Sequence, residues 1–306
     1  MDEPLRDLAD AQGGVFTTAQ ARAAGVGERE LARLRRIGEV HAVARSVSAV
    51  RPWREAWLEE RLLLRTRGAL ALYPDARPVG ASALVVAGVP VYGVRTDRAD
   101  LVRPVHREVL TELCRIREPC PSLREAHSPV DPAHDLAAAI VQTALDHGHL
   151  AATVAADHAL HHGLVTRDQI VAAAECTIGW PDTGRVRTTL ALADGRAESV
   201  GETRLRLFVV ALGWRVTPQT PLQDRWGTFG YGDLGVDGTR LVLEFDGRVK
   251  YGEGGEVVWK EKRREDRGRR AGYLFERVIW SELAAPSVLG PRLMAARTSA
   301  ALPPAG

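Results

Sequence analysis

Apolar positions along the chain change their period twice. Over residues 1–50 they recur at helical spacing in short runs. A first helix is predicted over roughly Pro4 to Gln12. A second, capped by Thr17 or Thr18, runs from Thr18 to Ala24 and stops at Gly25. A third runs from Gly27 to Arg36 and stops at Gly38. Leu31, Leu34 and Ile37 are expected to face the core, and Val40 to Val50 is patterned as a strand pair. From Trp53 to Arg67 an amphipathic helix is expected, and an apolar stretch from Ala81 to Val94 is broken by Gly88 and Pro90. Ala-rich helices separated by glycines are then expected over 131–148, 149–163 and 166–174, with one more over 183–194. Beyond Ser199 the pattern becomes α-β-β-β-α-β. A helix opens at the capping box Ser199 to Glu202, and strands are expected over 214–222, 228–236 and 241–246. A charged helix over 257–271 and a strand over 274–280 complete it.

These periods predict an α+β multidomain chain. Residues 1–50 are expected to form a winged helix-turn-helix, 51–197 a mainly helical middle domain, 198–290 an α/β domain, and 291–306 a flexible tail. Arg29, Arg33 and Arg36 share one face of the third helix, apart from its apolar stripe, where they would meet duplex DNA in the major groove. They would equally suit a solvated helix of a small bundle.

Composition narrows the partners. With 45% hydrophobic and 26% charged residues and a net charge of +2, the chain has no global basic field. Nucleic-acid binding must therefore come from local patches. Three scattered cysteines suit a reducing compartment and neither a disulfide framework nor a structural zinc site. An acidic start and the lack of a long apolar run point to a soluble cytoplasmic protein with no membrane partner. His147, His149, His158, His161 and His162 are the one histidine cluster. His158 and His162 are four apart, but no HExxH accompanies them, and surface or half-buried helix histidines are the better reading.

Lysine usage is sharper. The only lysines are Lys250, Lys260 and Lys262, in a chain that otherwise uses arginine. They adjoin the strand from Leu241 to Asp246, whose alternation sends Leu241, Leu243 and Phe245 to one side and Val242, Glu244 and Asp246 to the other. Two carboxylates on one strand face repel one another and lose hydration, which costs several kcal/mol unless a cation compensates. Arginine or lysine partners would serve, and so would a divalent metal, since Mg²⁺ takes one or two carboxylates and keeps its waters. A hairpin turn at Asp237 and Gly238 brings Asp233 toward residues 242–244, and Lys250 follows Gly247 closely. Lys260, Lys262, Arg263 and Arg267 outnumber the acids of the charged helix and would form a basic patch beside that pocket.

Residues 198–283 resemble the very-short-patch-repair-like branch of the PD-(D/E)XK nucleases. The resemblance rests on GETRLRL from Gly201, GDL from Gly232, LVLEFDGRVKY from Leu241 to Tyr251, KRREDR from Lys262 to Arg267, AGY from Ala271 and VIWSEL from Val278. It implies a restriction-endonuclease-like fold over 198–290 and a DNA endonuclease, in phage defence or DNA repair, that hydrolyses phosphodiesters with Mg²⁺ or Mn²⁺. Asp233 would be the main metal ligand, Glu244 and Asp246 the companion carboxylates, Glu202 a helix-borne carboxylate nearby, and Lys250 the amine where the family often has His. The chain departs from the pattern at Asp246, which stands in the lysine position, at Gly232, where an apolar residue is usual, and at Gly268 in the charged helix.

Residues 5–50 resemble the winged helix of AbiE-type antitoxins, through GGVFTTAQA from Gly13 and LARLRRIG from Leu31 to Gly38. Pro78 to Gly88 is similar to that family's middle segment. This second resemblance implies a regulator that binds double-stranded DNA, with a cognate toxin and a homodimer as further partners. The two readings are a DNA endonuclease and a non-catalytic antitoxin or transcriptional regulator with a degenerate nuclease fold.

Overall fold

The computed structural model describes residues 3–120, 132–247 and 255–301, and of 132–135, 255–258, 260 and 261 the backbone alone. The chain is mixed α and β with three sheets and divides into two units, Met1–Ala193 and Asp194–Gly306. None of its described helices is long and apolar enough to cross a membrane.

The first unit opens with α1 (Glu3–Ala11), β1 (Val15–Thr17), α2 (Thr18–Ala23) and α3 (Glu28–Arg36), then β2 (His41–Ala44) and β3 (Val47–Ala49). Thr17 is the cap of α2. Its hydroxyl accepts from Gln20 N at 3.1 Å, and Gln20 Oε1 accepts from Thr17 N at 2.8 Å. Leu5, Phe16, Leu31, Leu34 and Val40 close a core beneath the antiparallel sheet β1-β3-β2. Ile37 is not part of it, contrary to the periodicity, and is 52% exposed. The helix ends at Arg36 and Gly38 (φ 77°) turns the chain, so Val40 takes the core position that helical spacing gave to Ile37.

Trp53 also departs from expectation. It precedes the helix, is buried, and donates from Nε1 to Ala42 O on β2 at 2.9 Å. The helix itself, α4 (Leu58–Leu72), starts later and runs further than predicted. After it the middle region is less helical than the pattern suggested. Between α5 (Gly80–Val86) and α6 (Pro132–His147) lies most of a sheet of very short strands, β4 (Arg77–Pro78), β5 (Ala99–Val102), β6 (Val109–Leu110) and β7 (Cys114–Arg117), ordered β4-β5-β7-β6. Strands of two to four residues carry too few alternations to be read from sequence. Helices α6, α7 (His149–His161), α8 (Arg167–Glu175) and α9 (Thr183–Leu192) follow, around an alanine-rich core with Ile140, Val154 and Ile170 buried.

One charge cluster ties that sheet to α6. Parallel pairing of β5 and β7 sets Asp100 beside Arg115, whose Nε donates to Asp100 Oδ1 at 2.6 Å. Arg117 donates to both oxygens of Asp146 on α6, at 3.1 and 2.9 Å. Two carboxylates and two guanidinium groups thus compensate one another, and both acids are nearly buried.

The second unit holds α10 (Val200–Ala211), β8 (Val216–Asp224), β9 (Gly227–Val236), β10 (Leu241–Asp246), α11 (Gly255–Arg270), β11 (Leu274–Ile279), α12 (Trp280–Leu283) and α13 (Pro286–Ser299). Its sheet is ordered β11-β10-β9-β8. The two hairpin pairs are antiparallel, and β10 and β11 are parallel across the α11 crossover. Alternation along β10 sorts as the sequence indicates. Leu241 and Leu243 join Leu205, Val209, Leu234 and Leu293 on one face, and Val242 joins Leu222 and Phe275 on the other. Gly268 has a steric reason: a Cβ there would lie 2.5 Å from the Phe275 ring, so the helix can approach the sheet only without one. The segment from 291 is no tail as far as Ser299. It is the body of α13, with Leu289 and Leu293 fully buried, because its apolar residues recur at helical spacing over the sheet.

Candidate functional site

The open end of the β9–β10 ladder collects the acidic residues. Val242 pairs with Gly235 and Leu243 with Leu234. One step further the strands part, and Phe245 N donates at 2.8 Å not to a backbone carbonyl but to Asp233 Oδ2. Gly232 belongs to this step, since a Cβ there would meet Val242 Cγ1 at 2.4 Å. The apolar side chain usual at this position would not fit. Burial is the main cause that lifts the Asp233 carboxyl to a pKa of about 6. The negative charge of Glu202 adds to the rise, while the Phe245 amide and Arg264 oppose it.

Glu244 lies beside Asp233 and is 6% exposed. Unlike Asp233 it has cations in contact. Arg264 NH2 of α11 donates to Glu244 Oε1 at 2.7 Å, and Arg277 Nε of β11 stands 3.7 Å from Oε2. Arg264 NH1 also reaches the carbonyl of Tyr231. Burial still raises the Glu244 pKa, with Arg264 opposing and Asp233 adding to it. Asp246 closes β10, half-buried. Glu202 serves its cap: Oε1 accepts from Ser199 Oγ at 2.9 Å, Oε2 from Glu198 N at 3.0 Å, and Glu202 N donates to Ser199 Oγ at 3.1 Å. Gln219, a non-glycine residue at φ 49°, approaches Glu202 Oε2 at 3.5 Å through Nε2.

Asp233 and Glu244 are therefore brought together, with Glu202 within electrostatic range. Lys250 lies outside the described residues, and of Lys260 the backbone alone is described. Among the described residues no three His, Cys, Asp or Glu side chains are grouped as a metal ion would need. Of the expected basic patch, Lys262 faces solvent and Arg263 stacks on Trp259, 4.6 Å from its ring centre. Arg267 is engaged instead with Asp224, through Nε at 2.6 Å and NH2 at 3.0 Å. Arg264 and Arg277 were not singled out from sequence, although a signal exists. Arg264 is four residues before Gly268 on the sheet-facing side of α11, and Arg277 shares a strand face with Phe275 on β11.

In the first unit Arg29, Arg33 and Arg36 are all exposed on α3. Arg33 is bound to Glu30, with NH2 to Oε1 at 2.7 Å, so of these three Arg29 and Arg36 have no carboxylate partner among the described residues. Arg35 points the other way and donates to Ser48 Oγ of β3 at 2.8 Å, fixing helix to hairpin. Among the histidines, His158 and His162 stack with ring centres 4.2 Å apart. Burial, then His162 and His161, lower the His158 pKa, which disfavours its charged form.

A family described as "Transcriptional regulator, AbiEi antitoxin" matches residues 3–47, which span α1 to β3. No curated protein matches the chain.

Proposed function

We propose that the chain is a DNA-binding regulator of the AbiEi antitoxin kind, whose winged helix reads duplex DNA and whose second unit is a nuclease-like fold. The observation that carries this reading is α3, within the matched segment, with Arg29 and Arg36 exposed and unpaired while Arg35 fixes the helix to the hairpin. Such a helix offers charge for phosphates and forks for guanine edges. Glu244 agrees with it, since two arginines already compensate the carboxylate that a metal would otherwise hold. A cognate toxin and a second copy of the chain are the protein partners on this reading. Titration with duplex DNA from upstream of the chain's own gene tests it. Replacing Arg29 and Arg36 with alanine is expected to weaken binding at least tenfold and flatten its salt dependence. Unchanged binding would sink it.

Asp233 favours a second reading, a DNA endonuclease. Among the described residues no guanidinium contacts its carboxyl, which holds its proton up to about pH 6, and a divalent cation would replace that proton. Asp233 would be the principal ligand of Mg²⁺ or Mn²⁺, Glu244 and Asp246 companions, and Lys250 the amine facing phosphate. When bound, the metal would supply hydroxide from water. Glu202 would hold the entrance of α10, and Glu244 would join the metal only by releasing Arg264. Incubating supercoiled plasmid with Mg²⁺ or Mn²⁺ separates the readings. Nicking lost in Asp233→Ala supports the endonuclease, and operator binding without cleavage supports the regulator.

A further inference from the structure

A cavity of about 1080 Å³ lies in the second unit at the tip of the β8–β9 hairpin. It is lined by Arg225, Trp226, Arg240, Arg267 and Arg270, with Asp224 as its only carboxylate. This is the far end of the sheet from the acidic cluster. Arg240 precedes β10 and Asp246 ends it, about 20 Å along the strand.

The charges there do not cancel. Asp224 is spent within the fold, accepting from Arg267 Nε at 2.6 Å and from Trp226 N at 2.9 Å, so it clamps the hairpin tip to the end of α11. Arg240 NH1 donates to Ala271 O at 2.6 Å and lies over the Tyr273 ring. Among the described residues Arg225 and Arg270 make no salt bridge, although Arg225 lies within electrostatic range of Asp224. Trp226 is held by its backbone yet 72% exposed, although the Arg225 guanidinium stacks 4.0 Å from its ring centre. A fixed, exposed indole among unpaired guanidinium groups suits an anion that carries flat rings. Phosphates with unstacked bases have that chemistry, whereas a duplex keeps its base faces covered.

We propose that this cavity binds single-stranded DNA, an unpaired base stacking on Trp226 and its flanking phosphates meeting Arg225 and Arg270. DNA rather than RNA is favoured by the winged helix of the same chain. The site uses neither α3 nor the carboxylates, and only the choice of DNA over RNA rests on the regulator reading above.

The test is fluorescence anisotropy of the full chain with a labelled oligothymidylate of about ten nucleotides. Trp226→Ala is expected to weaken binding about tenfold and Trp226→Phe to restore most of it, because stacking survives in the phenyl ring. Arg225→Ala with Arg270→Ala is expected to weaken binding and to reduce the salt slope by about 1.4, the loss of two single-strand phosphate contacts. The Arg29→Ala, Arg36→Ala variant is expected to lose duplex binding and keep oligothymidylate binding, so the two proposals fail separately. Three results would overturn the inference: oligothymidylate affinity unchanged in Trp226→Ala, heparin binding with the same dependence on Trp226, or tighter binding of oligouridylate than of oligothymidylate.

Discussion

Each unit buries a cluster of acids and arginines, and the two are balanced differently. In the first, Asp100 and Asp146 meet Arg115 and Arg117, two charges of each sign joined by direct hydrogen bonds. In the second, Arg264 hydrogen-bonds Glu244, Arg277 stands 3.7 Å from it while donating to Glu265 at 3.0 Å, and among the described residues Asp233 is left with a backbone N–H. A closed set of charges is architecture, holding a short-stranded sheet to a helix. An acid without a cation keeps an affinity for protons or metal that the fold has not used. Proximity of acids therefore says less about chemistry than the sum of charge around each one.

The largest effect is expected from opening the balanced cluster. Asp146→Ala strands Arg117 and weakens the hold on Arg115, at a cost of about 3–5 kcal/mol, and chemical denaturation should show the first unit melting early. Little change would mean that the cluster is ornamental and the comparison empty. In the second unit Asp233→Asn should have the opposite sign. Its folded pKa of about 6 lies above the ordinary value of 3.8, so the folded state binds more protons between them and wild-type stability falls as pH rises through that window. The asparagine, which can still accept from Phe245 N, is expected to stabilise by up to about 3 kcal/mol at pH 8 and by almost nothing below pH 4. Thermal melting across pH reads this directly. If Mg²⁺ raises the melting temperature of wild type and not of the variant, the comparison sharpens toward the endonuclease.

Glu244→Gln should have the same sign and a smaller size, because burial raises the Glu244 pKa too while Arg264 opposes the rise. A strongly destabilised variant would show that the charge of Glu244 is needed by Arg264. The smallest change is Gly268→Ala, expected to cost about 1–2 kcal/mol by forcing α11 off Phe275. It changes no charged side chain and so calibrates the others.

Much of this was legible beforehand where a period lasts long enough. The six residues of β10 show which side chains share a face, and GDL against LVLEFD gave the approach of Asp233 to Glu244. The second sheet of the first unit was invisible, because Arg77–Pro78 and Val109–Leu110 are too short to alternate. Ile37 misled by continuing a helical spacing past the helix end. Glu244's cations were missed for another reason: Arg264 and Arg277 come from separate elements, and only the crossover that lays β11 along β10 brings them to one carboxylate. Gly232 and Gly268 looked like weaknesses in sequence, and their meaning is the close approach of neighbours.

The burial of Leu289 and Leu293 against Leu205, Val209 and Leu243 has a consequence for synthesis. The core of residues 1–193 is complete within that span and can close while the ribosome is still at work. The sheet bearing Asp233 and Glu244 lacks one of its covering walls until residues near 296 have emerged. The acidic cluster is thus assembled last, and a nascent chain can hold a finished first unit before the second exists.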